Sequence, residues 1–274
     1  MVHSFLRLFA SIFAFALLTL LTQVGGVIYL LCKISFQFTK KRLRFAHKLL
    51  IFISIYFLLT FTLIPFLASK FGRVPLPYFA SAEVPLKPIN VVLCLLNRTY
   101  VKPELKKVLI ATAQKMNQKY SNTVICYLDT SFPFLDKFPL LPHLSHHDGK
   151  KADLAFCYVD TKTGEQILDS APSWIGYGIF ETPKQGESNQ TLACKKNGYW
   201  QYDFAKYLGF PFIASMKMDE TRTKSLVNFL ANSPQIRMIL IEPHLKNRLG
   251  LLSGKIRFQG CHSVRHDDHI HVQL

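Results

Sequence analysis

The sequence predicts an α+β domain preceded by two transmembrane helices. Two long charge-free apolar segments open the chain. Helix-period and strand-period stretches then follow one another irregularly, with no βαβ repeat and no internal repeat or low-complexity tract. The 274 residues suffice for one ordinary domain plus such extra segments.

The apolar segments come first. Residues Leu8 to Cys32 are uncharged over 25 positions, and Leu49 to Ser69 are uncharged again. A spanning helix needs roughly 20 apolar residues. The first run also exceeds a signal-peptide core of about 7 to 15 residues. The spacing predicts a two-helix hairpin in a lipid bilayer over residues 1–72. Lys33, Lys40, Lys41, Arg42, Arg44 and Lys48 lie between the two spans. The positive-inside rule puts that loop in the cytoplasm. The expected location is therefore the inner (cytoplasmic) membrane, with the following domain facing the periplasm or cell exterior.

Charge is uneven along the chain. Residues 1–70 contain no acid, and the first is Glu83. Beyond residue 70, 25 Lys and Arg face 17 Asp and Glu, leaving +8 of the overall +16. No Arg-rich run or aromatic RNA-binding motif accompanies that charge, so no nucleic-acid partner is expected. The excess suits an anionic surface or polymer.

The soluble part reads as follows. Residues 73–88, with Pro75, Pro77, Pro85 and Pro88, form an extended linker, and the domain covers 89–274. Ile89 to Leu96 reads as a buried strand. Pro103 opens a helix whose apolar face is Leu105, Val108, Leu109, Thr112, Met116 and Tyr120. Thr123 to Leu128 and Ala152 to Val159 read as strands, and residues 161–199 as loops. Asp219 caps a helix running to Asn232. Arg237 to Ile241 and His269 to Leu274 are strands. No CxxC pair exists, so a structural zinc knuckle is not expected. Cys94, Cys126 and Cys157 sit in apolar runs as buried thiols. Cys194 and Cys261, in polar contexts, are the expected disulfide pair.

Ten histidines occur, and seven fall in two short windows: His143, His146 and His147, then His262, His266, His269 and His271. In the first window Gly149 permits a tight turn, so Asp153 can swing back toward His146. In a strand, His269 and His271 share one face while Ile270 points into the core. Imidazole and carboxylate are both good zinc ligands, and three of them leave a fourth position for water. His143, His147 and His244 read as ordinary loop or structural residues.

The motif Ser145-His146-x-x-Gly149-x-x-x-Asp153, followed far downstream by His266-x-x-His269-x-His271, resembles the penicillin-insensitive murein endopeptidases. These belong to the LAS group of zinc peptidases. The resemblance implies an LAS-type domain with a central, mainly antiparallel sheet. It implies Zn2+ held by His146, Asp153 and His271. It implies His269 as general base or transition-state stabiliser and His266 as a further active-site residue. The implied activity is hydrolysis of D-alanyl-diaminopimelate cross-links, with peptidoglycan stem peptides as substrate. A D-alanyl-D-alanine carboxypeptidase and a zinc-bearing, non-catalytic binding module are the alternatives. The Glu-x-x-His of the D-alanyl-D-alanine dipeptidases is absent from the second window.

Overall fold

A computed structural model describes residues 2–39, 43–207 and 215–274. Alternation in the C-terminal strand organises the domain. The strand His269–Gln273 lies between Lys151–Ala155 and Met238–Leu240, antiparallel to both. The full six-stranded order is Ile256–Arg257, Met238–Leu240, His269–Gln273, Lys151–Ala155, Ile125–Tyr127, Leu86–Pro88. The two edge strands pair in parallel with their neighbours, so the sheet is mixed, with an antiparallel centre. Ile270 stands opposite Leu154, and Val272 opposite Ala152. All four are buried in the main core with the helices Pro103–Lys119 and Glu220–Ala231, which pack on one another. His271 stands opposite Asp153 on the other face.

Both helices begin as their sequences dictate. Pro103 occupies the first turn of its helix, where a missing N–H costs nothing. Asp219 accepts from the Arg222 amide at 3.0 Å. The Arg222 side chain, buried, also donates to Asp219 Oδ2 at 2.6 Å and to the carbonyls of Tyr158 and Ile167. It thereby ties the helix to a second sheet of Gln166–Ile167, Tyr158–Asp160 and Met216–Met218.

Several elements depart from expectation. Ile89 to Leu96 is not a strand: Asn90 accepts from the amides of Val92 and Leu93 and starts the helix Val91–Leu95. The expected strand Ala152–Val159 divides between two sheets, breaking at Phe156–Cys157. Residues 73–88 are extended but built into the domain. Val74–Pro75 pairs with Tyr100–Val101, and Leu86–Pro88 forms a sheet edge. There the Pro85 carbonyl accepts from Ile125, and Ile89 donates to Tyr127, so no proline has to donate. Residues 161–199 include the short helix Gln190–Lys196.

The N-terminal region divides the two expected helices further. The first apolar segment is two helices, Val2–Thr22 and Gly25–Gln37, reversing at Gln23 with φ 67°. The reversal is close: a Cβ on Gly26 would lie 1.9 Å from Thr19 Oγ1 and 2.6 Å from the Phe15 carbonyl, so glycine is required. The second segment is Phe45–Phe61 and Leu63–Lys70, bent by 45°. Pro65 explains the bend, since it cannot donate to Phe61 and its ring crowds that carbonyl. Among the described residues, one unbroken helix, Phe5–Thr22, is long and apolar enough to cross a membrane, and it lies near the N-terminus; the bent pair Phe45–Phe61 and Leu63–Lys70 is so too when taken as one span. Gly25–Gln37 has 13 residues, about 20 Å at 1.5 Å per residue. Of the basic residues expected between two spans, Lys40, Lys41 and Arg42 lie outside the described residues.

These helices pack on the domain. Gln23 Oε1 accepts from the Phe134 amide at 2.8 Å, and Asn97 Nδ2 donates to the Tyr56 hydroxyl at 3.0 Å. Arg73, just beyond the last helix, is wholly buried.

Candidate metal centre

His271 and Asp153 are neighbours by register, on adjacent antiparallel strands. His146 reaches them from the loop that precedes Lys151–Ala155. Its amide donates to the His143 carbonyl at 3.0 Å, closing a turn, and its Nδ1–H donates to the Thr130 carbonyl at 2.9 Å. A carbonyl can only accept, so the Nδ1 proton leaves the Nε2 lone pair free to face inward. Nε2 lies 3.2 Å from His271 Nδ1 and 3.3 Å from Asp153 Oδ1, and the third side of the triangle is 2.8 Å. All three residues are buried, and one ligand atom from each lies within 4.8 Å of the others.

The donor set fits a metal ion. Metal–ligand bonds of about 2.0–2.1 Å at the tetrahedral angle separate ligand atoms by about 3.3 Å, close to the sides of this triangle. Burial pushes His271 down to about 4, keeping a neutral imidazole. Burial by itself would raise Asp153, but His146 and His269 hold its carboxyl well below the usual range, so it stays anionic. Tyr177 donates to Asp153 Oδ2 at 2.8 Å, which leaves Oδ1 facing the two histidines.

His269 and His266 flank the triangle. His269 Nδ1–H donates to Asp268, and its Nε2 lies 3.8 Å from Asp153 Oδ2. Burial opposes its charge, yet the carboxylates of Asp153 and Asp268 push it up to about 9. Asp268 is itself held by the Gly178 amide at 2.6 Å. The His266 ring lies 5.1 Å from that of His269 and 5.7 Å from that of His271. Burial pushes His266 well below its ordinary value.

No protein-family model matches this chain, and no curated protein is significantly similar to it. The chemistry of the centre therefore rests on its own atoms.

Two further residues join the centre that the sequence did not single out. His143 donates to Asp129 at 2.8 Å and lies 3.9 Å from Asp153 Oδ2, so it is not an ordinary loop residue. Its spacing of three before His146 was the available signal, because one turn brings both to one side. Tyr177 meets His143 at a tilt and His269 edge to face, at 4.6 and 4.9 Å between ring centroids. It stands between Gly176 and Gly178, both at positive φ. A Cβ on Gly176 would lie 2.2 Å from Leu128, so that turn admits only glycine. His147 contributes its backbone carbonyl to Arg73. His244 donates to the Glu181 carbonyl at 2.7 Å, the structural role expected of it. Cys194 and Cys261 form a disulfide, and Cys94, Cys126 and Cys157 are buried thiols, both as expected.

Proposed function

We propose that the chain is a membrane-anchored zinc peptidase that hydrolyses D-alanyl-diaminopimelate-type cross-links in peptidoglycan, with its domain outside the cytoplasmic membrane. The observation that carries this reading is the convergence of His146, Asp153 and His271 with His269 and His266 beside them. Two imidazoles and one carboxylate suit zinc and leave a position open, the arrangement of catalytic rather than structural zinc sites. Zinc held there supplies a polarised carbonyl and a water acidified to a pKa of about 7.

The chain's own groups do the rest. Asp268 fixes the His269 tautomer, so Nε2 is the nitrogen that faces the reacting atoms. With Asp153 committed to a dication, Asp268 remains the main acidic partner of His269. His269 can then take a proton from water and return it to the leaving amine, or stabilise developing negative charge as a cation. His266, neutral by burial, accepts a hydrogen bond or a proton beside it. Tyr177 donates to Asp153, and His143 lies 3.9 Å from the same carboxylate oxygen.

The test measures metal content and cleavage of cross-linked muropeptides on the same preparations of the full chain. His146→Ala should lose the metal. His269→Ala should keep most of it and lose roughly 100-fold in turnover. Full activity in His269→Ala sinks the mechanism. Cleavage confined to terminal D-alanine would make the enzyme a carboxypeptidase. A metal-loaded but wholly inactive wild type would make it a binding module.

A further inference from the structure

A groove of about 520 Å³ opens on the metal centre, and His143, His266 and His271 line its inner end. Its outer wall is the 3-10 segment Trp200–Tyr207. Trp200 is 72 % exposed and Phe204 48 % exposed, and their rings meet edge to face at 6.2 Å. Large aromatic rings left bare beside a cleft are uncommon without a ligand to cover them.

These rings stand on a rigid base. Between them in sequence, Tyr202 is fully buried and donates to Glu242 at 2.6 Å, and the same Glu242 oxygen accepts from the His266 amide at 3.1 Å. Asp203, also buried, pairs with Arg265 at 2.6 Å and with Lys206 at 2.7 Å. Arg265 in turn grips Asp267 through Nε and Nη2, at 2.8 and 2.6 Å. The disulfide Cys194–Cys261 joins the helix before the platform to the segment before the second histidine window. The consecutive pair Tyr202 and Asp203 is therefore anchored inward while Trp200, Gln201 and Phe204 face the groove. The anchors lead directly to the backbone of His266 and Asp267.

The remaining lining decides what fits. Gln201, Gln259, Gln273 and Ser263 present neutral donors and acceptors beside the apolar Met238 and Val264. Lys151 is the one Lys or Arg among the described lining residues. Its ammonium already donates to the Ser145 carbonyl at 2.7 Å and to Asp148 at 3.3 Å. A carboxylate-rich peptide would leave its charges unmatched here, at a desolvation cost. A pyranose ring offers an apolar C–H face to the aromatics and neutral hydroxyl and amide groups to the glutamines. We infer that this groove is a glycan subsite, in which Trp200 and Phe204 stack a sugar ring and so position the attached peptide at the metal centre. The inference rests on the peptidoglycan reading for the source of the sugar, while the stacking itself does not.

The chain has two tryptophans, so Trp174→Phe leaves Trp200 as the sole indole reporter. The full chain carrying that change, in detergent micelles, is titrated with a β-1,4-linked N-acetylglucosamine tetramer and, separately, with a sugar-free stem tetrapeptide. A saturable change in Trp200 emission with the tetramer is expected. Adding Phe204→Ala should weaken it roughly tenfold, and Phe204→Tyr should restore it. No saturable change with the tetramer, or saturation by the tetrapeptide alone, overturns the glycan subsite. As a second readout, cross-linked dimers bearing the disaccharide should show a lower KM than sugar-free dimers, and Trp200→Ala should erase that difference with kcat and metal content kept. Failure to cleave either dimer would refute the peptidase reading alone, since the fluorescence titration still decides the sugar.

Discussion

His146 offers Nε2 and His271 offers Nδ1 to one centre, and the chain holds the two rings by different means. His271 is set by register: two antiparallel neighbours fix its strand, and Ile270 and Val272 lock its face by burial. His146 lies in a loop, and hydrogen bonds rather than packing fix its place. The Thr130 carbonyl holds its ring. Arg73 grips both arms of the loop, donating to Ser131 Oγ at 3.0 Å, to the carbonyl of Phe132, to Asp136 and to the His147 carbonyl at 2.9 Å. A strand ligand is insensitive to distant polar groups. A loop ligand inherits the strength of every bond that shapes its loop.

The largest expected effect comes from Asp153, which serves both sides. Asp153→Ala removes a ligand, takes away the hydrogen-bond partner of His271 and removes a countercharge from His269. Bound metal should fall to background. Breaking such a buried charge arrangement should cost about 3–5 kcal/mol of unfolding free energy in denaturant titrations. Retention of metal would show that the two histidines suffice and that the triangle is not the binding unit.

Arg73 tests the loop side alone. It touches no ligand side chain, so Arg73→Ala should act through the loop and lower metal affinity by roughly 10–100-fold, the usual size of an outer-shell loss. Arg73→Lys should recover part of it. Competition with a chromogenic chelator measures the affinity, and the metal-free melting temperature of each variant separates loop positioning from general destabilisation. An unchanged affinity in Arg73→Ala would mean that Thr130 and the turn at His143 position His146 unaided.

The smallest effect belongs to the strand side. Glu242 supports His266 through its backbone, and burial pushes its carboxyl up to about 7, with Asp267 adding to the rise and the Tyr202 hydroxyl opposing it. A carboxyl raised in the folded state favours low pH. Its contribution is intact below about 4.5 and is lost as pH rises through about 7. Glu242→Gln, neutral throughout, should flatten the stability–pH curve in that window while leaving metal content alone. A curve of unchanged slope would assign the pH dependence to another group.

The strand side of the centre was legible in the sequence because alternation is a short-range rule. His269-Ile270-His271 declares two faces within three residues, and Asp153 follows from the strand that Ala152 begins. The helices from Pro103 and Asp219 were legible for the same reason, each with its cap and apolar period. The loop side was only half legible. His146 stood out by motif, but His143 joins the centre only through a turn closed by one backbone hydrogen bond. Tyr177 arrives from a glycine-flanked turn 24 residues after Asp153 in sequence, and no local pattern announces it. The edge strand Leu86–Pro88 was hidden by its own prolines, which suit a linker as well as an edge that only has to accept. In the N-terminal region the two apolar segments were legible but their division into four helices was not, because composition counts apolar residues and is blind to Gly25-Gly26 and Pro65, which reverse and bend the chain without interrupting the hydrophobic run.

That reversal at Gln23 sets which way the N-terminus faces. Gln23 touches the domain, so Val2–Thr22 climbs toward the domain and Gly25–Gln37 descends from it. Tyr29 packs on Phe52, and Lys48 lies over the Phe36 ring, so the third helix rises again beside the second. Arg7, Lys33, Arg44 and Lys48 are then gathered toward the end of the bundle remote from the domain. The beginning of the chain therefore sits with these basic side chains, at the end of the bundle that points away from the metal centre.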